Sequence, residues 1–238
     1  MMKPMPRVLT LTLALLLCST PVFAAPITYT TTGGKADFDF LSASSLQLTL
    51  TNTYNPVDDL GKVLTGLAFT LSPSATLTLT SVISSNGSVD CHVSYPSCAF
   101  TAGPLTDNSA PFFPNDSNNG WTFASNLLSA GAGSYKDHGI VNSTIVPGPS
   151  SNGNTSNDPH NPFLNGPVEF DFTVSGVDFP PGVTAASFYF GTGPTIVEGN
   201  CQTCPDPPQN NVPEPPTLLL LGSSLVGVGA FAWRRRDR

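Results

Sequence analysis

Apolar residues in this chain recur at every second position, in short runs cut by turn-forming residues, and that period fits strands rather than helices. The stretch 168–174 is the clearest case: Val168, Phe170, Phe172 and Val174 share one face, while Glu169, Asp171 and Thr173 share the other. In 45–51 the alternation sets Leu46, Leu48 and Leu50 inward, and in 36–40 it sets Ala36, Phe38 and Phe40 opposite Asp37 and Asp39. Further strands are predicted at 27–31, 63–71, 75–82, 121–123, 140–146, 187–190 and 195–197. No segment carries the period of an amphipathic helix; Leu127-Leu128 predicts one short helical turn at most. Such spacing predicts an all-β domain, an antiparallel β-sandwich of Greek-key or jelly-roll type, in which each strand buries one face.

The segments between these runs are rich in turn residues. Residues 52–61 contain Pro56, Asp58 and Asp59, and the loops 57–61 and 106–120 are expected on the surface. The stretch 147–167 is dense in Pro, Gly, Ser and Asn and nearly free of core residues. It is expected to be a long surface loop within one domain, because strong strands follow it.

The amino end has the form of an export signal. Lys3 and Arg7 precede an apolar stretch at 8–17, which is too short to span a bilayer, and Ser19-Thr20-Pro21 ends it. Val22-Phe23-Ala24 before Ala25 fits a signal-peptidase site, so 1–24 is expected to be removed between Ala24 and Ala25. Leu17 is too large for the lipobox that Cys18 would otherwise suggest. About 190 residues, 25–211, then remain for one domain of ordinary size. Over this part Lys35, Lys62 and Lys136 stand against twelve aspartates, Glu169 and Glu198, a balance of about −11. Nucleic acid is excluded as a partner, since phosphate binding needs a basic face.

Four cysteines follow the signal: Cys91, Cys98, Cys201 and Cys204. An even number in an oxidising compartment predicts disulfides, and the local pairs Cys91–Cys98 and Cys201–Cys204 are the simplest of the three connectivities. A four-cysteine zinc site fits less well, because six residues separate Cys91 from Cys98. A redox pair at 201–204 would open a helix, yet Pro205, Asp206, Pro207 and Pro208 follow.

Signals for catalysis are absent. His92, His138 and His160 are the candidate bases, with no nucleophile elbow or zinc-protease stretch to go with them. Asp37 with Asp39, and Glu169 with Asp171, could flank a glycan, but period-two carboxylates more often line a solvated strand face. No catalytic and no metal-ligating residues are assigned. Calcium is the one ion that the Asn/Asp-rich loops 115–120 and 154–161 admit, and turn conformation explains those loops equally well. Trp121, Phe112, Phe113 and Tyr95 are expected in the core rather than on a sugar-stacking platform. Four Asn-x-Ser/Thr matches, at Asn86, Asn115, Asn142 and Asn154, are ascribed to composition.

The carboxyl end is organised differently. Val212-Pro213-Glu214-Pro215-Pro216 opens an uncharged apolar run, 216–233, that closes on Trp233 and then Arg234-Arg235-Arg236-Asp237-Arg238. Eighteen residues at a rise of about 1.5 Å reach roughly 27 Å as a helix, enough to cross a bilayer core. The arginines place that end in the cytoplasm. The prolines keep 212–216 out of the helix, as an extended peptide on the other side.

This order of box, helix and Arg cluster resembles the PEP-CTERM sorting signal of exported proteins in Gram-negative bacteria that make extracellular polysaccharide. The resemblance covers 212–238 and implies recognition by an exosortase, a membrane-embedded cysteine protease that cuts near the box. By that match Pro213, Glu214 and Pro215 are the recognition residues, 216–233 the transmembrane helix, and Arg234, Arg235 and Arg236 the retention charges of the basic tail 234–238. Pro216 stands where the family often has Ser or Thr, which leaves the cut position open. The implied route runs through the general secretion machinery and signal peptidase, then a transient inner-membrane anchor (N-terminus out, C-terminus in), to the cell surface or matrix. The expected function is that of a non-enzymatic surface or matrix protein associated with exopolysaccharide and biofilm. A secreted carbohydrate-binding or carbohydrate-active protein, or a calcium-binding module, with the same tail is the alternative.

Overall fold

Leu46, Leu48 and Leu50 are wholly buried while Gln47 and Thr49 between them are half-buried, so the predicted alternation is present in the folded chain. The computed structural model describes residues 25–91, 97–107, 120–130, 138–147, 160–178 and 180–204. Residues 1–24, expected to be a signal peptide, the tail 212–238, His92, Tyr95, Phe112, Phe113 and most of both oxygen-rich loops lie outside the described residues. Among the described residues no helix is long and apolar enough to cross a membrane. The chain divides into two units, Met1–Thr203 and Cys204–Arg238, and every strand below lies in the first.

The described residues form sixteen strands. They are β1 (Ile27–Thr31), β2 (Gly34–Ser42), β3 (Ser45–Asn52), β4 (Leu64–Ser72), β5 (Thr76–Ser84), β6 (Ser88–Asp90), β7 (Ala99–Thr101) and β8 (Leu105–Asp107). After these come β9 (Thr122–Ala124), β10 (Leu127–Ser129), β11 (Ile140–Val141), β12 (Phe163–Asn165), β13 (Val168–Ser175), β14 (Gly182–Phe190), β15 (Thr195–Glu198) and β16 (Asn200–Cys201). The all-β expectation is met. One sheet has the order β16-β1-β2-β3-β13-β5-β8; the other runs β15-β14-β4-β11-β12-β6-β7, with β10 pairing β4 and β9. Pairing is antiparallel throughout the named strands except between β11 and β12.

The two sheets share an aromatic core. Phe38 of β2 meets Phe69 of β4 edge to face at 5.1 Å, and Phe69 meets Phe172 of β13 at 6.3 Å. Phe123 fills the space between them, 5.1 Å from Phe172 and 5.5 Å from Phe69. Trp121 packs on Phe170 at 5.0 Å and donates its ring N–H to the carbonyl of His138 at 2.8 Å. Each buried phenylalanine contributes about 1.5–3 kcal/mol from burial and each edge-to-face pair about 0.5–1.5 kcal/mol more. This network therefore holds the sheets together.

Three loop expectations are corrected. Leu127 and Leu128 form strand, not a helical turn: Ser125 (φ 52°) and Asn126 (φ 64°) make a tight two-residue turn, and β10 is paired on both sides. Positive φ at both turn residues matches the twist of a hairpin, and pairing on two sides outweighs local preference. The loop 57–61 is only in part a surface loop: Asp58, Asp59 and Gly61 are exposed as expected, but Val57 and Leu60 are buried with Val63, Val89, Val141, Ile145 and Phe163 in a satellite core. A 3-10 turn, Leu60–Lys62, aims Leu60 inward, and the Asp59 carboxylate caps it by accepting from the Gly61 N–H at 2.6 Å. Finally, 160–165 is not surface loop: Phe163 and Leu164 are buried and β12 joins the second sheet between β11 and β6.

Cys91 and Cys98 are bridged, and the buried Cys91 joins the satellite core. Cys201 and Cys204 are also disulfide-bonded. Beside them the last residues of the first unit are strapped to its first strand. Gln202 N–H donates to Thr28 O at 2.8 Å, while the Thr203 hydroxyl donates to Pro26 O at 2.9 Å and accepts from the Thr28 N–H at 2.8 Å.

Candidate functional site

Three short connections carry the chain from one sheet to the other, and small or amide-bearing residues dominate them. Ser85-Asn86 leads from β5 towards β6, Ala102-Gly103 lies between β7 and β8, and Asn165-Gly166 joins β12 to β13. With Asn142-Ser143, just after β11, they line an open polar cleft of about 440 Å³. Among these lining residues none is ionisable.

The cleft is fixed by backbone hydrogen bonds. The Asn86 side chain donates to Gly166 O at 2.9 Å, and the Asn165 N–H donates to Gly87 O at 2.9 Å. Ser84 shares its hydroxyl proton between Gly87 O (2.8 Å) and Asn165 O (3.0 Å), and Gly166 N–H donates to Val141 O at 2.8 Å. The Asn165 side chain donates to Asn86 O at 3.4 Å, and its own buried carbonyl oxygen has no hydrogen-bond partner. Gly166 is required sterically, because a Cβ there would stand 2.8 Å from the Ile140 side chain.

Beneath this rim two asparagines lock the strand ends together. Asn52 donates to Lys62 O (2.7 Å) and Ile140 O (2.9 Å) and accepts from Tyr54 N–H (3.0 Å). Asn142 donates to Asn52 O (2.9 Å) and Tyr54 O (2.8 Å), and its side-chain oxygen accepts from the N–H and hydroxyl of Thr144. At two of the Asn-x-Ser/Thr matches, Asn86 and Asn142, the amide nitrogens are structural donors. Nothing in the local sequence distinguishes them, since their acceptors lie 80 to 90 residues away.

The carboxylates flagged by their period lie elsewhere, on the half-buried outer rows of the first sheet. Register aligns Asp39, Gln47, Asp171 and Ser81 in one row, and Asp37, Thr49, Glu169 and Ile83 in the next. Asp171 accepts from Ser81 at 2.5 Å and Gln47 at 3.4 Å, and Asp37 pairs with Lys35 at 2.7 Å. Burial, and then the charge of Asp171, push the Glu169 carboxyl above its ordinary 4.5. A raised acid binds its proton more tightly when folded, so its contribution to stability is present in acid and lost as pH rises past that value. Glu169→Gln is expected to raise the melting temperature at pH 7, with the gain vanishing towards pH 4, as thermal melts across pH would read.

His138 is buried, with its ring Nδ1 3.3 Å from Pro162 O, and His160 is buried as well. Trp121 belongs to the core described above. Among the described residues no group of three or more His, Cys, Asp or Glu is placed to hold a metal ion.

Residues 211–236 match the family described as the PEP-CTERM protein-sorting motif. That span includes Pro213, Glu214 and Pro215, the apolar run 216–233, and Arg234 to Arg236. No curated protein and no solved structure matches the chain.

Proposed function

We propose, from the PEP-CTERM motif at 211–236, that this is an exported protein whose tail holds it in the inner membrane until an exosortase releases it. The observation that carries the reading is the motif itself, with its box, apolar run and arginines in order. Signal peptidase cuts between Ala24 and Ala25, the run 216–233 arrests the chain, and Arg234, Arg235 and Arg236 keep its end in the cytoplasm. Recognition falls on Pro213, Glu214 and Pro215.

The delivered domain is a non-enzymatic surface or matrix component, of Greek-key or jelly-roll type, that works beside exopolysaccharide in a biofilm. Its disulfides suit an oxidising destination. The order β3-β13-β5, in which a late strand returns between two early ones, favours the Greek-key description.

Glu214→Ala, expressed in the native host, is the test. Membrane fractionation and intact mass are expected to show an uncut chain retained in the inner membrane, while the unaltered protein ends near Pro215. A variant processed like the unaltered protein would overturn recognition at the box.

A further inference from the structure

We infer that the cleft at the sheet crossovers binds a neutral saccharide unit of about disaccharide size. At about 440 Å³ it falls within the range of roughly 300–1,000 Å³ typical of small-molecule sites. Such sites are mostly apolar, and this one is not. The Asn142 carboxamide is taken up by Asn52, Tyr54 and Thr144, so the groups left to a ligand are the Asn86 and Asn165 carboxamides, the Ser85 and Ser143 hydroxyls and peptide groups, which match the alternating donors and acceptors of a polyol.

The lining also defines what is refused. With no cationic side chain among the described lining residues it offers nothing to a phosphate or carboxylate, and with no anionic one among them it lacks the charged oxygens a calcium site uses. The hydrogen bonds between Asn86, Gly87, Asn165 and Gly166 fix the walls before any ligand arrives, so little ordering is lost on binding. The buried Asn165 carboxamide oxygen is left without a partner in this lining.

This deepens the matrix reading above, yet it rests on cleft geometry and is tested separately from processing. The processed protein, isolated from its host, is titrated with maltose, cellobiose, lactose and chitobiose by saturation-transfer NMR and calorimetry. Glucuronate and calcium chloride are run as charged probes. At least one neutral disaccharide is expected to bind saturably. Ala102→Trp and Ser143→Trp, both at exposed lining positions, are expected to weaken it by about tenfold or more at unchanged melting temperature. Three results would overturn the inference: no binding of any neutral probe, binding of the charged probes alone, or saccharide binding untouched by both tryptophans. Each is independent of how Glu214→Ala is processed, so the two proposals fail separately.

Discussion

Asn52→Ala is expected to lower stability by at least about 3 kcal/mol, because it strands three backbone groups, one buried and two part-buried, at about 1–3 kcal/mol each. The amide is 2% exposed and joins the end of β3, the turn before β4 and β11 through Lys62 O, Ile140 O and Tyr54 N. These partners belong to the second sheet or to the link that leads from β3 to it, so no single strand can move to recover the lost bonds. Against a total of about 5–15 kcal/mol for a typical domain, the loss is a large share. Urea denaturation of the variant is the measurement, and a loss under about 1 kcal/mol would show that water replaces the amide without cost. Asn142→Ala should couple to it rather than add. Asn142 binds the carbonyls of residues 52 and 54, whose positions the Asn52 side chain sets.

These two asparagines also mark where the sequence stopped being readable. Strand faces were legible because each residue's burial depends on its neighbours two positions away: Phe38, Leu48 and Phe170 all point as their alternation requires. The satellite core was not. Val57 and Leu60 are isolated apolar residues among Pro, Asp and Gly, and only contacts with β6 and β12 reveal that they face inward. β12 has three residues and no period, and it is strand because β6 and β11 flank it. The cleft was hidden for the same reason, since each crossover contributes an ordinary turn and the site exists only where the turns meet. The sorting tail behaved in the opposite way: its signal is local and consecutive from Pro213 to Arg236, so order along the chain suffices to recognise it.

The cleft's dependence on one glycine leads to the second large effect. Gly87 has φ +79°, and a Cβ there would fall 1.9 Å from the Thr101 carbonyl oxygen and 2.9 Å from that of Gly103. Both obstacles are backbone, so Gly87→Ala must displace either the β6–β7 ladder or the crossover bonds that Gly87 O accepts from Asn165 and Ser84. Gly176 separates this clash from backbone strain. Its φ is +87°, but an added Cβ meets nothing within 4 Å. Gly176→Ala should therefore cost about 1–2 kcal/mol from conformation alone, whereas Gly87→Ala should cost more than about 4 kcal/mol, the range reserved for disrupted packing. Denaturation midpoints of the two variants decide it. Equal losses would mean that the β7–β8 turn yields freely, and a turn that yields freely could not present a preformed cleft.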